Sequence, residues 1–322
     1  MTPSVALALP VPQLAASWAS ASADLMGGRV SVHLRPATGT GASRGANERA
    51  ASEVLARIEA WASRLTRFEA TSEVSLLNAE TADHVPVGPT MTAVLDWGRG
   101  AEALSDGIVD IGLLDARLLA EGSRVAPGAP VLPANRRWSL TRQRRGAILK
   151  RPAGLRFDLD GIAKGWLADR ALDLVPGVCA VIDADGDLAV RVADDEGWAI
   201  GVADPRDPAT VLSTVHLVRG SAPEARYGVA TSGTSVHRWT RAGRTGHHLI
   251  DPRTGRPART DVVQATVIGR TARAAEAFAK TAVIVGSKAA AAHLDRPEVL
   301  GQILVTESGD VLVTPATLEF LA

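Results

Sequence analysis

Four separate segments of the sequence combine chemically versatile polar side chains with glycine. The first segment runs from Phe157 to Trp166 and reads FDLDGIAKGW. Asp160 can cap a helix that starts near Gly161, where free backbone N–H groups can bind an anion, and Lys164 adds a cation one turn later. Such a helix end would suit a pyrophosphate, and an ordinary capped helix explains the segment equally well.

The other three segments add hydroxyl groups, histidines and an acid–base pair. Residues 230–233 read ATSG, and residues 247–257 read HHLIDPRTGRP, which contains the tight-turn sequence DPRTG. The two histidines before that turn can gain or lose a proton near neutral pH. In the fourth segment Glu276 and Lys280 lie four residues apart on one helix face, which on its own predicts only a surface ion pair.

The hydrophobic pattern predicts the elements that must position these segments. Apolar residues at three-to-four spacing predict helices over 47–65, 89–104, 161–175 and 271–286. Alternating or continuous apolar runs predict strands over 28–34, 178–182, 188–192, 198–202, 211–218, 264–268, 302–305 and 311–314. Many strands with few, separated helices favour an α+β fold with mainly antiparallel sheets.

Three stretches fall outside this pattern. Residues 1–22 are apolar with several prolines but no basic start, which predicts a disordered tail on a cytoplasmic protein, followed by one domain over residues 23–322. Residues 117–135 are rich in glycine and proline and predict an irregular connection. Residues 136–151 hold seven basic residues and no acidic one, which favours a solvated hairpin over a docking patch for an acidic partner.

Composition excludes several classes of protein. The 322 residues hold 35 basic and 35 acidic side chains, so no overall field recruits nucleic acid, and no stretch is apolar for long enough to span a membrane. Cys179 is the only cysteine, which excludes a disulfide scaffold. Lysine occurs only four times, so arginine is the default cation and a lysine within a motif indicates a need for a compact ammonium group.

The motifs are individually weak, but their order and wording resemble the FAD:protein FMN transferases of the ApbE family. The resemblance covers about residues 24–290 and includes the segments SEVSLLN (72–78), GIVD (107–110), DLDGIAKGW (158–166), GWAIGV (197–202), TSG (231–233) and HLIDPRTG (248–255). It implies a two-lobed α+β fold, related to the T-fold, with a flavin cleft between the lobes. It also implies transfer of the FMN half of FAD to a Thr or Ser hydroxyl of an acceptor protein, with release of AMP.

The same resemblance implies roles for particular residues. His248 would assist deprotonation of the acceptor hydroxyl, and Lys280, where this sequence departs from the family, is a second candidate catalytic residue that would neutralise the FAD phosphates. Ala163, through its backbone carbonyl, and Glu276 would hold a Mg²⁺ ion at the pyrophosphate. The residues implied to contact FAD are Met26, Phe68, Ile108, Val109, Asp110, Asp160, Lys164, Trp166, Leu249 and Ile250.

The helix expected to bind the metal departs from the family pattern. The family usually has Asp and Thr there as Mg²⁺ ligands, at the positions of Glu276 and Lys280. Because an ammonium group cannot bind Mg²⁺, we hypothesise that Lys280, paired to Glu276, takes the place of the metal; in a milder version the metal stays on Glu276 and Ala163. Two other functions remain open: an FAD pyrophosphatase, in which water replaces the acceptor hydroxyl, and a non-catalytic FAD-binding protein.

Overall fold

The computed structural model describes residues 18–36, 44–122, 132, 135–235, 238–241 and 244–321, and within them the chain forms strands and short helices. The α-helices are α1 (Arg44–Leu65), α2 (Glu73–Ala79), α3 (Pro89–Leu104), α4 (Leu114–Ala120), α5 (Ala163–Leu172), α6 (Ala272–Val285) and α7 (Ser287–Leu294), and a 3₁₀ helix covers Pro315–Phe320. The strands are β1 (Ala19–Leu25), β2 (Gly28–Pro36), β3 (His84–Val87), β4 (Ser139–Arg142), β5 (Ala147–Lys150), β6 (Val178–Ala184), β7 (Asp187–Val192), β8 (Trp198–Asp204), β9 (Asp207–Leu217), β10 (Ala225–Gly233), β11 (Trp239–Arg241), β12 (Arg244–Gly246), β13 (Ile250–Asp251), β14 (Arg256–Pro257), β15 (Val262–Gly269), β16 (Val299–Thr306) and β17 (Val311–Val313).

An eight-stranded sheet forms the centre of the fold. Its strand order is β1-β2-β6-β7-β10-β15-β16-β17, and every neighbouring pair is antiparallel. Hairpin connections join β1 to β2 and β6 to β7, whereas β7 and β10 are separated by the β8–β9 hairpin. This arrangement confirms the predicted α+β class with mainly antiparallel sheets.

The two faces of β6 pack against different partners, because successive side chains of a strand point to opposite sides. Ala180 and Ile182 pack with α1 and α5, while Cys179 and Val181 pack with the β8–β9 hairpin. A strand covered on both faces has no solvent-facing positions, which explains why this segment is a continuous apolar run. The sheet ends that carry polar residues are therefore held on a rigid, fully buried framework.

A second group of elements packs beside the central sheet. The small sheet β3-β5-β4 and helices α2 and α3 share a hydrophobic core with the end of α1 and the start of α5. The basic stretch 136–151 forms the β4–β5 hairpin, as predicted. Arg151 is the exception to its solvated character, since it is buried and donates hydrogen bonds to the carbonyls of Leu77 and Leu155.

The structure confirms each predicted strand and helix in outline and corrects three details. Residues 19–22, predicted as part of a disordered tail, form the start of β1, whereas residues 1–17 lie outside the described part of the chain. Residues 117–120 belong to α4 rather than to an irregular connection. Asp160 does not cap α5, which begins at Ala163 after Ile162, because its carboxylate is paired to an arginine instead.

Candidate active site

A single cleft brings the four polar segments of the sequence together. It encloses about 1030 Å³, part of it open to solvent, and lies beside the ends of β7, β10 and β15 and the helices α5 and α6. Its walls include Asp160, Lys164, Thr231, Ser232, Gly233, His248, Leu249, Glu276 and Lys280. Residues separated by more than a hundred positions in the chain therefore face one space.

One wall of the cleft is a buried cluster of arginine and carboxylates. Arg117, which is only 5% exposed, lies 2.8 Å from Asp158 and 2.9 Å from Asp160 through the same guanidinium nitrogen. Burial alone would raise the pKa of Asp158, but Arg117, helped by Lys280, lowers it to about 2. Arg117 is therefore already paired to carboxylates of the protein itself.

The floor of the cleft contains a lysine–aspartate pair. The Lys164 ammonium on α5 lies 2.8 Å from a carboxylate oxygen of Asp185 in the β6–β7 turn. Asp185 and Gly186 both have left-handed φ angles, as a two-residue hairpin turn requires. The Asp185 carboxylate occupies the space where a side chain at Gly28 would begin, so that glycine leaves room for the pair.

Glu276 and Asp187 are buried carboxylates at the inner end of the cleft. Glu276 accepts a hydrogen bond of 2.9 Å from the N–H of Gly165, and burial raises its pKa to about 7. Asp187 is 6% exposed, and its side chain has no hydrogen bond or ion pair with any other described residue. Burial, followed by the charge of Glu276, raises the pKa of Asp187 well above its ordinary value.

Close packing of α5 against α6 makes this arrangement possible. A Cβ atom at Gly165 would lie 2.7 Å from the carbonyl oxygen of Ala272 at the start of α6. Only glycine therefore allows the two helices to approach so closely that the Gly165 N–H reaches Glu276. Asp169 of α5 strengthens the contact, because its carboxylate accepts hydrogen bonds from the first N–H groups of α6.

Lys280 faces the cleft without an ion-pair partner among the described residues. Its ammonium packs against the backbone of Gly161, where a Cβ atom would overlap it. Burial lowers the pKa of Lys280, an effect that Asp158 opposes. The surface ion pair with Glu276 that the sequence spacing alone predicts is absent from these described contacts, because both side chains point into the cleft rather than to solvent.

The two adjacent histidines have different surroundings. His247 is held by its own turn: its Nε2 lies 2.9 Å from the carbonyl oxygen of Ala258, and its Nδ1 accepts a hydrogen bond from the N–H of Leu249. Burial lowers the pKa of His247, so it is neutral near pH 7. His248 lies in the cleft wall, where it can reach a bound molecule.

Several residues implied to contact FAD lie outside this cleft. Trp166 packs edge-on against Trp61 with 6.0 Å between ring centroids. Phe68 is 62% exposed and lies against the guanidinium of Arg67, which is 3.6 Å from Asp160 at the cleft wall. Asp110 is paired to Arg136 at 2.7 Å, and Met26 packs against the core at a left-handed turn. The residues buried in hydrophobic clusters are Ile108, Val109, Ala163 and Ile250. Ala163 was implied to bind Mg²⁺ through its backbone carbonyl and the other residues were implied to contact FAD, and all of these contacts stay predictions.

The cleft also contains residues that sequence reasoning did not assign to it. Arg117 falls within the stretch predicted to be irregular, and Gln264 lies on a strand that was assigned no function. The Gln264 amide donates a hydrogen bond of 2.9 Å to the carbonyl of Ala203 and so ties β15 to the β8–β9 hairpin. Asp187 follows an aspartate-rich turn, and this acidic run was the available signal for a charged site.

The residues predicted to hold Mg²⁺ do not fit that ion. Within the part of the chain that the structure describes, no three His, Cys, Asp or Glu side chains are grouped to bind a metal. The carboxylate of Glu276 is engaged by the backbone N–H of Gly165. The positive charge at this end of the cleft comes from Lys164 and Lys280.

Solved structures define the class of protein to which this fold belongs. A crystal structure of an ApbE protein from Thermotoga maritima has a TM-score of 0.76 at 22% identity and covers 95% of this chain and 99% of its own. The apo form of flavinyl transferase ApbE from Pseudomonas stutzeri has a TM-score of 0.75 at 23% identity, covering 94% and 96% of the two chains. The fold is therefore the ApbE fold.

Sequence comparison carries the assignment from fold to family. The model of the ApbE family matches residues 26–303, so the chain belongs to the ApbE family. A FAD:protein FMN transferase of Klebsiella pneumoniae (strain 342) is 26% identical over 288 residues, which cover 85% of this chain and 88% of that protein. One from Treponema pallidum (strain Nichols) is 31% identical over 155 residues, but these cover only 41% of its length. Across the described residues, every helix is too short or too polar to cross a membrane.

Proposed function

We propose that this protein is a FAD:protein FMN transferase, which moves the FMN half of FAD to a Thr or Ser hydroxyl of an acceptor protein and releases AMP. The observation that carries the proposal is the convergence of the four polar segments on one cleft. Relatives named for this activity support it. A cytoplasmic location and a lack of nucleic-acid binding stay predictions.

The cleft contains the groups that phosphoryl transfer from a diphosphate needs. Attack on phosphorus requires positive charge at the non-bridging oxygens, a positioned hydroxyl and a proton acceptor. Lys164 and Lys280 supply the charge, and His248 supplies the base. The hydroxyl of Ser232, at the end of β10, faces the same space and can donate a hydrogen bond to a phosphate oxygen.

The transfer step breaks one bond and forms one bond. The acceptor oxygen bonds to the phosphorus on the FMN side, and the bond from that phosphorus to the bridging oxygen breaks. AMP leaves with the bridging oxygen, while the proton of the acceptor hydroxyl passes to His248 and from there to solvent. His247 has no part in this step, because its ring is fixed by Ala258 and Leu249.

The proposal is tested by incubating the purified chain with FAD and a threonine-bearing acceptor domain from a flavin-dependent reductase. The expected result is flavin fluorescence at the mass of the denatured acceptor together with one AMP for each labelled chain. An acceptor with its threonine changed to valine is the matched control and should stay dark.

Two other results would contradict the proposal and identify the alternative. AMP that forms equally without an acceptor would indicate a pyrophosphatase. Bound FAD with no AMP, for an acceptor that another transferase does label, would indicate a non-catalytic FAD-binding protein.

A further inference from the structure

Among the described residues, three lysine and arginine side chains line the cleft, and they differ in one respect. Arg117 is paired to Asp158 and Asp160, and Lys164 is paired to Asp185 at 2.8 Å. The ammonium of Lys280, also in the cleft wall, has no hydrogen bond or ion pair to any other described residue. Of these three groups, Lys280 therefore has the ammonium that can meet an anion without first breaking an ion pair.

The position of the Lys280 ammonium is built into the backbone. It rests on Gly161, in the turn that leads into α5, and a side chain at that position would overlap it. The stem of Lys280 comes from the middle of α6, which is rigidly packed against α5. The ammonium is partly exposed and faces the cleft, so a ligand can reach it.

The carboxylates near Lys280 are poorly suited to bind a divalent cation. The carboxylate of Glu276 accepts a hydrogen bond from the N–H of Gly165. In the described part of the chain, it does not belong to any group of three His, Cys, Asp or Glu side chains that could hold a metal ion. A divalent ion placed here would be repelled by the unpaired ammonium of Lys280, whereas the charge of Lys164 is offset by Asp185. A bound diphosphate, by contrast, would be attracted by Lys280.

We propose that the Lys280 ammonium does the work of a metal ion in this protein: it binds the diphosphate of FAD directly, so that FAD binding needs no divalent metal. This inference rests on the proposed function for the identity of the ligand. Its physical basis is that an unpaired, partly buried ammonium makes a charge-assisted hydrogen bond to a phosphate oxygen. Such bonds are stronger than those between neutral groups, and losing one weakens binding by about 10- to 100-fold.

The test measures FAD affinity from flavin fluorescence for the full chain, once with excess EDTA and once with Mg²⁺. The wild type should bind with the same affinity under both conditions, to within about twofold. Lys280→Thr should bind about 10- to 100-fold more weakly in EDTA. Lys288→Thr, which removes an exposed lysine from α7, is the matched control and should behave as the wild type.

Two results would overturn the inference: binding by the wild type only when Mg²⁺ is present, or equal affinities of Lys280→Thr and the wild type in EDTA. Lys280→Arg keeps the charge and should retain binding in EDTA, and circular dichroism checks that each variant is folded. If Lys280→Thr does not fold, the metal dependence of the wild type decides alone.

The same samples separate this inference from the proposed transferase activity. Tight FAD binding in EDTA with no acceptor labelling under any condition would remove the proposed function and leave the role of Lys280 intact. Labelling and binding that both require Mg²⁺ would leave the function intact and remove the role of Lys280. A chain that binds no FAD under either condition would overturn both.

Discussion

Replacing Arg117 with methionine tests whether the buried charge cluster holds one wall of the cleft together. Methionine keeps most of the volume of the arginine stem but removes the guanidinium that contacts Asp158 and Asp160. The variant leaves Asp158 without its ion-pair partner and leaves Asp160 only the longer contact with Arg67, at 3.6 Å. We expect the folded state to lose stability and the wall to loosen.

The magnitude follows from the pKa of Asp158, which burial raises and Arg117 lowers to a final value of about 2. A carboxyl whose folded pKa lies below its ordinary value of 3.8 stabilises the fold at any pH above that value, and the contribution is lost as the pH falls towards 2. Returning the pKa to 3.8 therefore costs about 2 kcal/mol at neutral pH. Since breaking a buried ion pair costs about 3–5 kcal/mol in general, we expect a total loss of about 2–5 kcal/mol.

The assay is urea unfolding at pH 7, followed by tryptophan fluorescence and extrapolated to water. The matched control is Arg44→Met, which removes an arginine at 2.8 Å from Glu48 in a pair whose two side chains are 64% and 52% exposed. An exposed pair of this kind contributes less than about 1 kcal/mol. The reasoning is wrong if the two variants lose the same stability, or if Arg117→Met loses less than about 1 kcal/mol.

Three further predictions follow from the same contacts. Gly165→Ala should lower the free energy of unfolding by about 1–3 kcal/mol, because its methyl group would meet the backbone of α6. Gly161→Ala displaces only the flexible end of Lys280, so it should weaken FAD binding without a comparable loss in the free energy of unfolding. Similar losses of unfolding free energy for the two variants would contradict this contrast. His248→Ala should slow acceptor labelling by about 10²- to 10⁴-fold with little change in FAD affinity, and an unchanged rate at saturating FAD would exclude it as the base. Burial raises the pKa of Glu276 from 4.5 to about 7, so the folded protein binds this proton more tightly than the unfolded chain does, and the melting temperature should fall as the pH rises between those values. Glu276→Gln should flatten this dependence of melting temperature on pH. Parallel dependences for the variant and the wild type would refute the raised pKa of Glu276.

The regular elements were predictable because local patterns specify them. The apolar spacing of α1 and the doubly buried run of β6 each indicate one type of element, and both predictions are confirmed. Helix boundaries are less certain, as α5 shows. Asp160 looks like a cap in the sequence, but Arg117, more than forty positions earlier, pairs with its carboxylate, and α5 starts at Ala163 without a side-chain cap.

The candidate site was predictable in part, for the same reason. Lys164, His248 and Lys280 lie in the cleft wall. They could be predicted because they belong to short polar segments at strand and helix ends, which are recognisable in the sequence. Arg117 and Gln264 could not be assigned, since their roles depend on contacts between distant segments. The unpaired state of Lys280 was likewise not predictable, because its spacing from Glu276 predicts an ion pair, whereas in the structure Glu276 is bonded to the N–H of Gly165 and the Lys280 ammonium packs on Gly161.

A crystal structure of the chain with FAD, grown in the presence of EDTA, tests the central claim most directly. We expect the diphosphate to lie in the cleft with a phosphate oxygen at hydrogen-bonding distance from the Lys280 ammonium, and with His248 beside the phosphorus on the FMN side. FAD bound at another surface, or a diphosphate that lies away from Lys280 and His248, would contradict it.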